Sequence, residues 1–447
     1  MSNHYIERPR YTCAQGGAAA TVTALPGGIP ILHSPSGCAG NFAWTQNGGS
    51  GLQVGGYCGT LAIPSSSIQE RDVVFGGDDR LREQIENTLK IMDGSIYAVL
   101  SSCVTEVIGD DIKSVVSDFK RKGIPIVGAE TGGFKGNSYL GYDLILKSLF
   151  KDFLDRDLEK KKKRVNLWGI IPSYDPFWRG NLEEVRRLLE QLGLEVNSFF
   201  LAEDTIEAIR QAGSASLNIV ISHAYGLEAA ELFEEIHTTP YISVPLPIGA
   251  SASESFLRTV GKTAKVSSKL TESVIRAEKK RYYRYLEPLT DCITDLDLQR
   301  YAVVIGDANN ATAVTKFLAD DLGWLPELTV CTDQLQEHEQ ERLREQLKHL
   351  ESRYPVTLVF ESDGSRIREH LKEKWPATGA GRYQNLFSPA FVVGSSLDRE
   401  LALELGAPHL SVSFPVANRA ILDRGYTGFR GGLRLIEDLI GAVVAGR

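Results

Sequence analysis

The chain is 447 residues long, with 43% hydrophobic and 24% charged residues and a formal net charge of −8. That length exceeds one ordinary domain and points to several cores, while the mildly acidic balance gives no reason to expect a nucleic-acid partner. No run reaches the roughly 18–20 apolar residues that span a bilayer, so no membrane partner is expected either.

The start, "MSNHYIERPRYTC", is polar and lacks a signal-peptide apolar region, which predicts a cytoplasmic protein. From Gln15 to Gly77 the chain is crowded with Gly, Ser and Pro and carries few helix signals, so it reads as long loops. Loops of that length in a compact domain are usually functional, and glycine lets the backbone approach a ligand closely. The chain then alternates. "SIYAVLSS" (95–102) reads as a buried strand, "DIKSVVSDFKRKG" (111–123) as a helix and "IPIVGAE" (124–130) as the next strand. That βαβ order implies parallel pairing. In "GDD" (109–111) the acidic residues read as the N-cap of that helix. The basic run Lys160–Arg164 reads as a solvated linker.

The alternation restarts twice. "RVNLWGII" (164–171), the helix 181–193 and "LNIVISHA" (217–224) form a second block. A long helix over 269–291 bridges to a third. There "YAVVIGD" (301–307) precedes a helix at 310–323, and strands follow at 356–362 and 390–395. The strand–Gly–Asp turn at 301–314 lacks GxGxxG and is weak evidence for a nucleotide site. The predicted fold class is α/β: three open Rossmann-like domains with mainly parallel sheets and helices on both faces. The expected boundaries are 1–160, 161–298 and 299–447.

Six cysteines in so long a chain do not read as a disulfide framework. In a reducing compartment, clustered cysteines point to metal or catalysis. Four lie in the first 103 residues: Cys13, Cys38, Cys58 and Cys103. Three sit beside small residues in "YTCAQGG" (11–17), "HSPSGCAG" (33–40) and "SSCVTE" (101–106), where backbone amides can approach a thiolate-held iron–sulfur cluster. Cys103 follows a parallel strand, at the edge where open α/β sheets place ligands. The spacing matches no short CxxC signature, so on the residues alone a metal site and ordinary buried thiols both stand. Cys292 and Cys331 read as half-buried helix and strand positions.

The Cys13…Cys38…Cys103 spacing, together with "DVVFGGDDRLREQI" (72–85) and "SSCVTEVIGDD" (101–111), resembles component 1 of nitrogenase and nitrogenase-like reductases. So do "ETGGFKGNSYLGYD" (130–143) and "PLPIGASASESFLRTVGK" (245–262). The closing stretch "SVSFPVANRAILDRGYTGFRGGLRLIEDLI" (411–440) is similar to that of the family's beta-type (K-type) chains.

The resemblance implies two related three-domain chains whose N-terminal domains share an iron–sulfur cluster, [8Fe-7S] P-cluster-like or [4Fe-4S]. Cys13, Cys38 and Cys103 fall on the beta-type ligand positions, with Gly37, Ser102 and Gly133 lining the cluster. Some beta chains place a serine ligand in the segment corresponding to 131–134. "TGGF" stands there, so that ligand is expected to be absent. Cys58 has no counterpart and reads as a free thiol. The family's catalytic cofactor is held by the alpha-type chain through a middle-domain cysteine and a C-terminal histidine. No cysteine lies between Cys103 and Cys292, and His223 and His409 read as structural, so the cofactor is not expected here.

The implied partners are an alpha-type (D-type) chain, in an α2β2 heterotetramer, and a separate ATP-dependent iron protein. The chain has no GxxxxGK[ST] of its own. The function implied is electron relay in a nitrogenase-like reductase. The alternative is a non-catalytic scaffold for cofactor assembly. The N-terminus lacks the long extension of molybdenum-type beta chains, an expectation that leans towards nitrogenase-like enzymes such as methylthio-alkane reductase.

Overall fold

Short runs of Ile, Val and Leu bounded by Gly, Pro and polar residues form strands buried on both faces. Such strands occur where helices cover a parallel sheet. The computed structural model describes residues 5–53, 63–290, 292–374 and 388–445. Its twelve strands fall into three sheets, and every strand pairing is parallel.

The first sheet has the order β1-β2-β3, with β1 Gly28–His33, β2 Ile96–Ser101 and β3 Ile126–Ala129. The second is β5-β4-β6-β7, from β4 Lys161–Trp168, β5 Glu195–Asn197, β6 Ala215–Val220 and β7 Tyr241–Ser243. The third is β10-β9-β8-β11-β12, from β8 Tyr301–Gly306, β9 Leu325–Cys331, β10 Thr357–Phe360, β11 Ala390–Gly394 and β12 His409–Ser411. Each sheet thus uses one contiguous stretch of chain. A single buried apolar network runs from Val22 and Leu100 through Trp168 and Phe233 to Val304 and Phe429.

The front segment departs from the loop reading. It folds as helices α1 Ala14–Ala24, α2 Ser36–Gly49 and α3 Glu70–Phe75, with β1 between the first two and α4 Asp78–Ile91 following. Some of the glycines there, Gly17 among them, mark close packing. Helix α1 ("AQGGAAATVTA") lies against a helix over Ser138–Asp152. A Cβ on Gly17 would fall 1.9 Å from the Ser138 carbonyl oxygen, and one on Gly141 would fall 2.0 Å from that of Ala14. Only glycine allows backbone that close. Cys58 lies outside the described residues.

The basic run is also not a linker. Strand β4 begins at Lys161, and the Lys160 ammonium donates to the carbonyls of Gly213 (2.8 Å) and His237 (2.6 Å). The long helix runs over Ser268–Leu286. Asp307 caps the helix Ala308–Lys316 by accepting the Asn309 and Asn310 N–H groups, each at 3.1 Å, so the strand–Gly–Asp turn is spent on capping. Cys331 is fully buried at the end of β9, not half-buried.

Candidate metal centre

The geometry begins at one edge of the first sheet. Because β1, β2 and β3 are parallel and in register (His33 opposite Ser101, Leu100 opposite Ala129), their carboxyl ends lie side by side. The loop after β1 leads to Cys38, the loop after β2 to Cys103, and the loop after β3 to Gly133. Cys13 comes from the chain start. It is fixed by an antiparallel bridge to Asn137, with the Ala14 N–H donating to Gly136 O (2.9 Å) and Ser138 N–H to Thr12 O (2.8 Å).

Each thiol sits at the start of a helix, where free backbone N–H groups and the helix dipole favour negative charge. Cys13 is the N-cap of α1, and the Gly16 and Gly17 N–H groups donate to its carbonyl (3.0 and 3.2 Å). Cys38 lies in the first turn of α2. Cys103 opens helix α5 (Cys103–Ile108), whose N-cap Ser102 pairs with Thr105 in a reciprocal capping box. Ser102 thereby fixes the backbone from which the sulfur projects.

Gly133 joins two of the thiols. Its N–H donates to the Cys103 sulfur at 3.0 Å. A Cβ there would meet Cys103 Sγ at 3.1 Å, Cys13 Cβ at 3.0 Å and Cys13 Sγ at 3.5 Å. Helix α2 is brought to α1 by Phe42, one turn beyond Cys38, whose ring occupies the space a Cβ on Gly16 would need (2.8 Å). Burial pushes the Cys38 thiol up, and the neighbouring Cys13 and Cys103 add to that shift. Burial likewise pushes Cys13 up, opposed by N–H groups of its own helix, with a smaller rise from Cys103. Cys13 and Cys38 are half-buried and Cys103 is exposed.

The other lining residues differ from one another. A Cβ on Gly37 would meet nothing within 4 Å, so this chain's own atoms do not demand glycine there. Behind the loop 131–135, Glu106 accepts from Gly132 N–H (2.7 Å) and Ser101 Oγ (2.5 Å) and pairs with Lys135 (3.0 Å). No serine stands in this loop. Asp111 caps the helix Ile112–Arg121 through Ser114 N–H (3.0 Å), as read from "GDD". Asp110 does something the sequence did not signal: it accepts from the buried His33.

Among the described residues, no three of His, Cys, Asp and Glu close around a single ion. The donor set is three thiols, of which Cys103 faces the Gly133 N–H and Cys13 the N–H groups of Gln15 and Gly16, with Cys103 exposed. Thiolates with N–H donors suit a polynuclear iron–sulfur core more than a hard cation, so the residues fit the group that the resemblance implies. The two histidines singled out in the sequence, His223 and His409, are occupied. His223 Nδ1 pairs with Ser243 Oγ at 2.6 Å and burial pushes its pKa down to about 4. His409 Nε2 donates to Ser395 O at 2.9 Å.

The family model "Nitrogenase component 1 type Oxidoreductase" matches residues 13–443. The nitrogenase vanadium-iron protein beta chain of Trichormus variabilis is 22% identical, covering 98% of this chain and 94% of that one. The molybdenum-iron protein beta chain of Frankia alni is 24% identical, covering 98% and 82%. The iron-molybdenum cofactor biosynthesis protein NifE of Methanosarcina barkeri is 29% identical over 46% of each chain. The solved structure "Nitrogenase Cp1 at pH 6.5" superposes with a TM-score of 0.80 at 17% identity, covering 100% of this chain and 94% of that one. No helix among the described residues is long and apolar enough to cross a membrane. The chain belongs to the nitrogenase component 1 type oxidoreductase family, and over nearly its whole length it is similar to that family's beta chains.

Proposed function

We propose that this chain is the electron-relay subunit of a nitrogenase-like reductase, with Cys13, Cys38 and Cys103 supplying its half of an iron–sulfur cluster shared with an alpha-type partner. The cluster is [8Fe-7S] P-cluster-like or [4Fe-4S], and the assembly is an α2β2 heterotetramer in the cytoplasm. An ATP-dependent iron protein delivers the electrons, and the catalytic cofactor sits in the partner chain. The three stretches 1–160, 161–298 and 299–447 act as its domains, which the one-sheet-per-stretch arrangement supports.

The observation that carries this reading is the convergence of the Cys103 and Cys13 sulfurs on Gly133, beside an exposed face. Three thiols in that arrangement leave room for ligands from a second chain. When bound, the cluster supplies a one-electron carrier. This chain's residues give up thiol protons to hold it, so loading is coupled to subunit assembly and to pH. The Gly133 N–H lowers the charge on the Cys103 sulfur. Phe42 packs on α1 at Gly16, and the buried Tyr174, hydrogen-bonded to Thr12, lies near Cys13.

The test is anaerobic co-purification with an alpha-type chain, followed by iron and sulfide assay and EPR. Cys38→Ala and Cys103→Ala should each lose cluster iron while circular dichroism stays native. Iron content unchanged in both would sink the reading. The partial similarity to NifE favours a second one, a scaffold for cofactor assembly. Steady turnover with iron protein and ATP supports the enzyme. Cofactor transfer to an apo-enzyme without turnover supports the scaffold.

A further inference from the structure

Directly behind the thiol edge, His33 is completely buried at the carboxyl end of β1. Its Nε2 lies 2.8 Å from Asp110 Oδ2, and its Nδ1 lies 3.0 Å from Ser66 Oγ. Burial pushes the imidazole below its ordinary pKa and so favours the neutral ring, against the opposing pull of Asp110. A carboxylate can only accept, so Nε2 carries the hydrogen and Nδ1 accepts from the Ser66 hydroxyl. Ser66 Oγ in turn accepts the Ser34 N–H at 3.1 Å, and the other Asp110 oxygen accepts the Gly77 N–H at 2.8 Å. The order Ser–His–Asp invites a hydrolytic reading. Ser66 is only 1% exposed and His33 is not exposed at all, so no substrate reaches either.

What the chain of hydrogen bonds joins is informative. Ser34 lies four residues before Cys38. Asp110 ends the turn after α5, whose first residue is Cys103, and Thr105 of that helix donates to the His33 carbonyl at 3.0 Å. Gly77 opens the helix Asp78–Ile91, directly after α3, where Val74 and Phe75 are 73% and 82% exposed. The junction has no slack. A Cβ on Gly77 would fall 2.6 Å from Asp110 Oδ2 and 3.1 Å from His33 Cε1.

We propose that His33 and Asp110 form a positioning pair that holds the Cys38 and Cys103 segments at fixed separation and ties both to the exposed α3 shoulder. This rests on the thiols being cluster ligands. A buried donor–acceptor pair is suited to the task because losing either partner strands the other without water. Ligand geometry, hydrogen bonding and solvent access then set the cluster's potential.

The experiment uses the complex with the alpha-type chain, purified anaerobically. His33→Ala and Asp110→Ala should alter the EPR spectrum and shift the midpoint potential. His33→Gln, whose amide still donates towards Asp110, should move both back towards the unsubstituted complex. Unchanged EPR and potential in both alanine variants, with iron retained, would overturn the pair's role. Should the alanine variants fail to assemble, Ser66→Ala removes only the donor to Nδ1. Hydrogen–deuterium exchange on that variant, with or without iron, should rise over residues 34–38 and 103–110 together. A rise confined to residues 64–67 counts against the pair. Absence of iron from the unsubstituted complex is a separate outcome that defeats the ligand reading and leaves the exchange measurement to decide the coupling.

Discussion

The backbone N–H of Gly133 points at the Cys103 sulfur across 3.0 Å, while the Cys13 side chain also crowds the same glycine. Two thiols that are 90 residues apart in sequence therefore share one small residue. Glycine is required there by contact, since a Cβ would press on both side chains at 3.0–3.1 Å. Gly133→Ala should reduce cluster iron severalfold and shift the EPR spectrum while thermal stability falls by less than about 2 kcal/mol, the range for a crowded but partly exposed site. Metal analysis and a melting curve on the same preparation check this.

Thiol reactivity should rank by burial. Thiolate is the reactive form, and burial holds the Cys13 and Cys38 thiols up while Cys103 is exposed. In the metal-free chain at pH 7.5, iodoacetamide should modify Cys103 first, with Cys13 and Cys38 slower and Cys331, fully buried, only on unfolding. Peptide mapping at short times reads the order. Equal rates at Cys103 and Cys331 would contradict the burial seen here.

A pH effect follows from Asp333. Its carboxyl is buried between sheets, accepts the Ala308 N–H at 2.7 Å and meets the Tyr225 hydroxyl, and burial with Asp307 nearby pushes its pKa up to about 8. A group raised in the fold above its unfolded value, about 4 for Asp, stabilises most at low pH. That contribution is lost as pH rises, until the folded carboxyl ionises near 8. Asp333→Asn mimics the neutral form. Its stability relative to the unsubstituted chain should therefore increase from pH 5 to pH 9. Denaturant midpoints at three pH values test it, and parallel curves for the two proteins would refute it.

The α1 contact should be intolerant of any side chain. Gly17→Ala would drive a Cβ to 1.9 Å from the Ser138 carbonyl, so the two backbones must separate. The expected loss is about 3 kcal/mol or more, beyond ordinary overpacking, seen as a lower melting temperature or insoluble expression. Gly40→Ala, at a position where a Cβ meets nothing, serves as the control and should be near neutral.

Arg10 binds the chain start to the third sheet. Its guanidinium forks onto Asp398, with Nη2 2.6 Å from Oδ1, and both side chains are 3% exposed. Arg10→Met leaves that carboxylate buried without a cation and should cost about 3–5 kcal/mol. The double variant Arg10→Met with Asp398→Leu should recover much of the loss. Chemical denaturation of the unsubstituted chain, Arg10→Met, Asp398→Leu and the double variant measures the coupling.

The alternation of apolar runs with amphipathic helices specified by itself the parallel sheets and the α/β class. Strands read at 95–102 and 301–307 appear at Ile96–Ser101 and Tyr301–Gly306, because a strand buried on both faces must be continuously apolar and its neighbours cannot supply that pattern. Small residues beside Cys13, Cys38 and Cys103 left both a metal site and ordinary thiols open, and the grouping of the three as ligands came from the family resemblance. Other features left no trace in the sequence. The Gly-rich front read as loop partly because what crowds some of its glycines, the Ser138 backbone at Gly17 and the Phe414 ring at Gly49, is more than a hundred residues away. A separation of 77 residues likewise hid the His33–Asp110 bond, whose two residues are meaningful only once β1 and the turn after α5 are folded side by side. Composition and periodicity decide which elements form. Which side chains meet across them is decided only by packing, where separations in sequence vanish and a single missing Cβ can set the distance between two sulfur atoms.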